Sequence, residues 1–148
     1  MSTLTDSGTG TALAKRLDRI RMASFGALTM LILQSVIGTA YNLYGKAPTS
    51  AKPIDPGSSP LLIIHSILGI LLFIAAAMLV FRAVQAKSRP ALATSIVGLV
   101  AIIGAGIAGS AFTRNGANGA SLGMTIATAV AMLCYGANLV IPLGKRQA

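Results

Sequence analysis

The sequence predicts an all-α integral membrane protein, a four-helix up-down bundle. Four stretches carry no formal charge: Met22–Tyr44, Leu61–Phe81, Ala91–Phe112 and Ser121–Leu143, of 23, 21, 22 and 23 residues. Each is long enough to cross the hydrocarbon core, which takes about 20 helical residues. Only 10% of residues are charged and 54% are apolar, where a soluble domain carries about a quarter charged. A chain of 148 residues has too much surface to hide that apolar excess inside one core, so the excess must face lipid. Backbone groups in lipid have to be paired within their own segment, which makes each run a helix.

The elements follow in order. Residues 1–12 are small and polar, and a disordered tail is expected there. Between Leu13 and Ile20, Leu13, Leu17 and Ile20 share one face while Lys15, Arg16 and Arg19 occupy others. This pattern predicts a short amphipathic helix on the inner membrane surface, running into the first span, so residues 1–19 form a cytoplasmic segment, 20–144 the membrane domain and 145–148 a cytoplasmic tail. The first run starts late, is long enough to span and lacks a small-residue cleavage site, so it reads as a span and not as a cleaved signal peptide. The connection from Gly45 to Pro60 holds Pro48, Pro53, Pro56 and Pro60. It should be extended and stiff, with Pro60 opening the second helix. The next connection, Arg82 to Pro90, is short and basic. The last, Thr113 to Ala120, contains two Asn-Gly pairs that mark tight turns. Short connections make consecutive helices antiparallel neighbours.

Charge sets the expected orientation. The formal charge is +9, and the basic residues cluster at the ends of the runs. With the N-terminus inside, the inner segments hold Lys15, Arg16, Arg19, Arg21, Arg82, Lys87, Arg89, Lys145 and Arg146, and the outer loops only Lys46, Lys52 and Arg114. This nine-to-three bias predicts a multi-pass protein of the plasma membrane with both termini cytoplasmic. No interleaving of aromatic and basic residues suggests a nucleic-acid surface.

The chain also carries the mark of a repeat. Gly38, Thr39, Ala40, Tyr41 and Gly45 near the end of the first run match Gly109, Ser110, Ala111, Phe112 and Gly116 near the end of the third. A duplicated helical hairpin explains this register. Resemblance among apolar helices ending in aromatics explains it too.

No Asp or Glu follows Asp55, and none lies in any of the four runs. A proton-coupled exporter needs a membrane-embedded carboxylate, and paired-carboxylate catalysis and carboxylate-bridged metal sites need more than one. These functions are excluded, and no catalytic residue is assigned. The single cysteine, Cys134, can form neither an internal disulfide nor a cysteine metal cluster. Gly104, Gly106 and Gly109 fit the dinucleotide fingerprint by letter, but they sit inside a membrane run with no preceding strand. Gly104, Ala105 and Gly109 read instead as a helix-packing surface, within the chain or in a homo-oligomer.

The polar residues inside the runs are candidate sites. Gln34 lies near the midplane and shares a face with Gly38 and Tyr41. It makes either an interhelical hydrogen bond or a contact to a ligand. Met124, Thr128, Ala131, Tyr135 and Asn138 form a semi-polar stripe turned into the bundle. His65, the only histidine, lies early in the second run above Gly69, Leu72 and Ala76. It is either a neutral imidazole bonded to a hydroxyl or water, or an axial ligand of haem b. In the second case Met124 would lie at similar depth on the diagonal helix, and Gly69 would leave room for the ring edge. The repeat sets His65 opposite Met124 or Thr125.

Tyr41-to-Tyr44, the Pro-rich loop, His65-to-Gly69 and Ser121-to-Met124 together resemble a group of uncharacterised small four-helix bacterial membrane proteins, commonest in actinobacteria and other Gram-positive bacteria. The resemblance spans roughly residues 20 to 143 and implies no particular activity. More distantly, the layout is similar to half of a haem A synthase or a cytochrome b561-type bundle. Those families use histidine pairs on facing helices, and this chain has one histidine. The leading functional expectation is a non-enzymatic accessory protein or subunit of a larger membrane complex. The alternatives are a b-type haem protein of electron transfer and a binder of lipid or quinone between helices near Gln34.

Overall fold

The structure, a computed structural model, describes residues 6–45 and 48–144. Four helices follow one another: α1 (Asp6–Tyr44), α2 (Pro60–Gln85), α3 (Arg89–Asn115) and α4 (Asn118–Gly144). All four are long and apolar enough to span a membrane. α1 packs against α2 and α4, and α3 against α2 and α4, so the chain winds round the bundle and leaves α2 and α4 on a diagonal. The α3–α4 interface is the most extensive. The outside is apolar, with residues such as Ile70, Val100, Ile107 and Leu133 exposed. On a soluble protein this surface would aggregate, and in a bilayer it is the lipid contact.

The helix boundaries follow local chemistry. Pro60 sits in the first turn of α2 and Pro90 in the first turn of α3, where a missing N–H costs nothing. α2 ends in a Schellman-type cap. Lys87 donates its backbone N–H to the carbonyl of Val84 (3.0 Å) and Ser88 donates to that of Ala83 (3.4 Å). Lys87 takes the left-handed backbone this needs, at φ 50°. α3 ends at Gly116, also left-handed (φ 65°), whose N–H returns to the carbonyl of Phe112.

Two expectations need correction. The helix before the first span runs into it as part of one unbroken α1 from Asp6, but its apolar face does not turn to the membrane surface: Leu17 and Ile20 are buried in the bundle core. Residues 6–12 of the expected disordered tail are therefore helical, while 1–5 and 145–148 lie outside the described residues. The Pro-rich connection is not simply extended either. Thr49 and Lys52 pair across a tight turn, and Pro56–Ser58 form a 3-10 turn capped by the Asp55 carboxylate at the Gly57 N–H (3.0 Å). The Ile54 N–H reaches across to the Thr113 carbonyl at the end of α3 (2.9 Å). This loop straps the end of the bundle away from the chain termini, the distal end.

The buried faces of the two hairpins match in sequence register. Ile20, Ser24, Ala27 and Leu31 of α1 correspond to Ala91, Ser95, Gly98 and Ile102 of α3, and all eight are buried. This is the same register that aligns Gly38 with Gly109. Leu72, Ala76 and Leu79 of α2 correspond to Ala131, Tyr135 and Asn138 of α4, again all buried. That register pairs His65 with Met124.

Candidate functional site

The two hairpins do not fill the distal half of the bundle. Between the four helices lies a cavity of about 900 Å³, lined among others by Gln34, Gly38, His65, Gly69, Ala105, Gly109, Met124 and Thr128. Its walls are mostly apolar, and its polar groups come mainly from α1 and α4, with two residues each from α2 and α3. Lining residues Ile70 and Phe73 of α2 and Ile103 and Ile107 of α3 are themselves exposed. They sit at matched depth on adjacent antiparallel helices, so the cavity opens sideways between α2 and α3, within the span.

Gln34 and His65 form the polar centre. The Gln34 Nε2 donates to the backbone carbonyl of His65 (2.9 Å). That amide lies in the space left by Gly69, where an added Cβ would be 3.2 Å from Nε2. Gly38 does the reciprocal service: a Cβ there would come within 3.2 Å of His65 Cε1 and 3.7 Å of Nδ1. Two glycines on facing helices thus admit one polar side chain from each. After this pairing two buried atoms remain without a partner, Gln34 Oε1 and His65 Nδ1. An unpaired polar atom in an apolar setting costs about 1–3 kcal/mol, a cost that a partner supplied from the cavity would relieve.

The remaining sequence candidates fall into three places. Met124 and Thr128 line the cavity, the Met124 sulfur lying against Gly109, where a Cβ would meet it at 3.5 Å. Thr128 turns its hydroxyl back to the Met124 carbonyl (2.8 Å). Tyr135 and Asn138 lie deeper, wholly buried and away from the cavity. Asn138 accepts from Thr94 (2.5 Å) and donates to Ser95 (3.2 Å). Ala105 lines the cavity, whereas a Cβ at Gly104 would meet nothing within 4 Å. Gly104 is therefore not a contact between helices of this chain. Gly98, on the same helix, is such a contact: it lies under Tyr135, whose ring is 2.8 Å from its Cβ position. Sequence reading passed over Gly98. The register of the repeat pointed to it, because it stands where the first hairpin has buried Ala27. The room expected beside Gly69 for a macrocycle edge is taken by Gln34.

Comparison with protein-family models, with curated proteins and with solved structures finds no match. What the chain shows by itself is a multi-pass membrane bundle with a laterally open, polar-centred cavity.

Proposed function

We propose that the protein binds a small apolar molecule of the membrane, a quinone or a lipid with a carbonyl or hydroxyl head, in the cavity between its four helices. One observation carries this reading: Gln34 and His65 both line that cavity, and each keeps a buried polar atom, Oε1 and Nδ1, without a partner in the chain. An amide oxygen accepts from a hydroxyl, and a neutral imidazole donates to a carbonyl or accepts from a hydroxyl. Sites of this kind are apolar pockets with a few placed polar groups. The gap bordered by Ile70, Phe73, Ile103 and Ile107 supplies entry from the bilayer. The role is non-enzymatic, that of a binding or accessory component. We place the chain in a bacterial plasma membrane with both termini cytoplasmic, on the nine-to-three distribution of basic residues.

Haem b is the second reading, favoured because His65 and Met124 line the same cavity. The smaller ligand fits better. Gln34 fills the space beside Gly69, the Met124 sulfur rests on Gly109, and among the described residues no cationic side chain lines the cavity to meet propionates.

The test is titration of the detergent-purified protein with a short-chain benzoquinol, whose hydroxyls can donate to Gln34 Oε1, and with a short-chain alcohol of similar size, followed by calorimetry. Saturable quinol binding that weakens at least tenfold in both Gln34→Leu and His65→Ala supports the reading. Binding indifferent to both substitutions sinks it. A Soret band in protein made with ample haem, abolished by His65→Ala, would replace it with the haem reading.

A further inference from the structure

At the opposite end of the bundle, where α1 enters and α2 leaves, lies a second cavity of about 530 Å³, lined by Arg16, Arg19, Met78, Phe81, Arg82 and Gln85. Three arginines line it, and among the described residues no carboxylate does. Their mutual repulsion is offset from within the chain. The Arg16 Nη1 donates to the Gln85 carbonyl (2.6 Å) and the Arg82 Nη1 to the Arg19 carbonyl (3.3 Å). The first of these bonds caps the C-terminal end of α2, whose carbonyls carry partial negative charge. Each guanidinium has five N–H donors, so most of the donors of Arg16 and Arg82 remain unspent after these bonds. The wall of the cavity is apolar on one side, and Met78 and Phe81 are both exposed. From Gln85 to Met78 the site descends about 10 Å along the helix at 1.5 Å per residue, from the charged end of the bundle into the apolar span.

We propose that this cavity holds the headgroup of an anionic phospholipid, its phosphodiester bound by Arg16, Arg19 and Arg82 and its glycerol and first acyl carbons lying on Met78 and Phe81. Guanidinium pairs with phosphate by parallel charge-assisted bonds, and basic pockets between spanning helices suit anionic headgroups. The apolar wall separates a lipid from a free anion. A soluble phosphate gains nothing from Met78 and Phe81, whereas a lipid anchors its upper chain there.

Native mass spectrometry of the full chain released from detergent tests this, with phosphatidylglycerol and phosphatidylcholine of the same acyl chains. The expected result is at least tenfold tighter binding of phosphatidylglycerol. Arg19→Gln should cost at least fivefold of that affinity, and it is the cleanest variant because Arg19 gives only its backbone carbonyl to the bonds named above. Arg114→Gln, at the other end of the bundle, should change nothing. Equal binding of the two lipids by the wild-type chain overturns the proposal, whatever the variants do. So does equal loss in Arg19→Gln and Arg114→Gln, which would reduce the effect to net charge. Inorganic phosphate displacing the lipid at equimolar concentration would make the site one for a soluble anion and overturn the lipid assignment.

Discussion

The two hairpins share one buried register and put their polar groups at opposite ends. In the first, α1 and α2 are apolar where their inner faces meet near the proximal end, with Ala76 and Leu79 buried and the Ser24 hydroxyl without a partner. Their polarity is spent distally, at Gln34 and His65. In the second, the matching positions are Tyr135, Asn138 and Ser95. Asn138 and Ser95 join a hydrogen-bonded set with Thr94, the buried Tyr135 hydroxyl has no partner, and the distal positions are Ala105 and Met124. One pair of equivalent groups shows how the difference arises. The carbonyl of Met124 accepts from Thr128 on its own helix. The carbonyl of His65 has Gly69 in the corresponding place and accepts from Gln34 on the neighbouring helix instead. Removing a side chain from one helix let a longer one enter from another. The result is one hairpin specialised for packing and one that brings unpaired polar atoms to a cavity.

The sharpest way to break this comparison is at the pair where the second hairpin trades a small residue for a large one. Tyr135→Ala should cost about 3–5 kcal/mol, as loss of a buried aromatic does. Gly98→Ala should cost about 1–3 kcal/mol, because the added methyl meets the Tyr135 ring. The double variant restores the Ala27–Ala76 pair of the first hairpin and should be no less stable than Tyr135→Ala alone. Unfolding in a denaturing detergent series measures the cycle. Simple additivity would mean that Gly98 does not make room for the ring.

A smaller contrast lies at the matched serines. Ser95→Ala removes a partner of the buried Asn138 amide and should cost about 1 kcal/mol. Ser24→Ala removes a hydroxyl that has no partner and should be neutral or mildly stabilising. The same unfolding series would refute the polar division of the hairpins if the two substitutions behaved alike.

The smallest effect is expected at the turns. Gly116 takes its left-handed backbone freely and also sits against the Pro48 carbonyl, leaving no room for a Cβ. Lys87 adopts a similar backbone with a side chain, at a cost of about 1–2 kcal/mol for an L-residue. Part of that is returned by the greater freedom of glycine when unfolded. Lys87→Gly should therefore raise stability by about 0.5 kcal/mol, seen as a higher midpoint in thermal unfolding. A lower midpoint would show that the lysine side chain supports the turn.

The four spans were legible in the sequence because lipid leaves so few choices: an uncharged run of bilayer length must be helical. The repeat was legible only as a coincidence of short motifs until the buried faces fell in the same register. That register also decided between Met124 and Thr125 as the partner of His65. The buried face at the start of α1 was harder to see. Leu17 and Ile20 look alike whether their face meets lipid headgroups or α2 and α4, and sequence periodicity does not distinguish these neighbours. Gln34 and His65 were each visible as polar residues in an apolar run. Their contact was not, because it depends on Gly38 and Gly69 lying opposite one another, a fact about two helices at once.

The bond from Ile54 to Thr113 has a consequence for how the protein is made. The strap belongs to the first connection, yet its partner is at the far end of α3. A chain emerging from the ribosome presents the loop long before that partner has been synthesised. The distal end of the bundle is therefore strapped only after the third helix has been made. Until then the first hairpin sits in lipid with Gln34 and His65 uncovered on the side α3 and α4 will occupy. The order of synthesis leaves the cavity open to the membrane before the bundle encloses it.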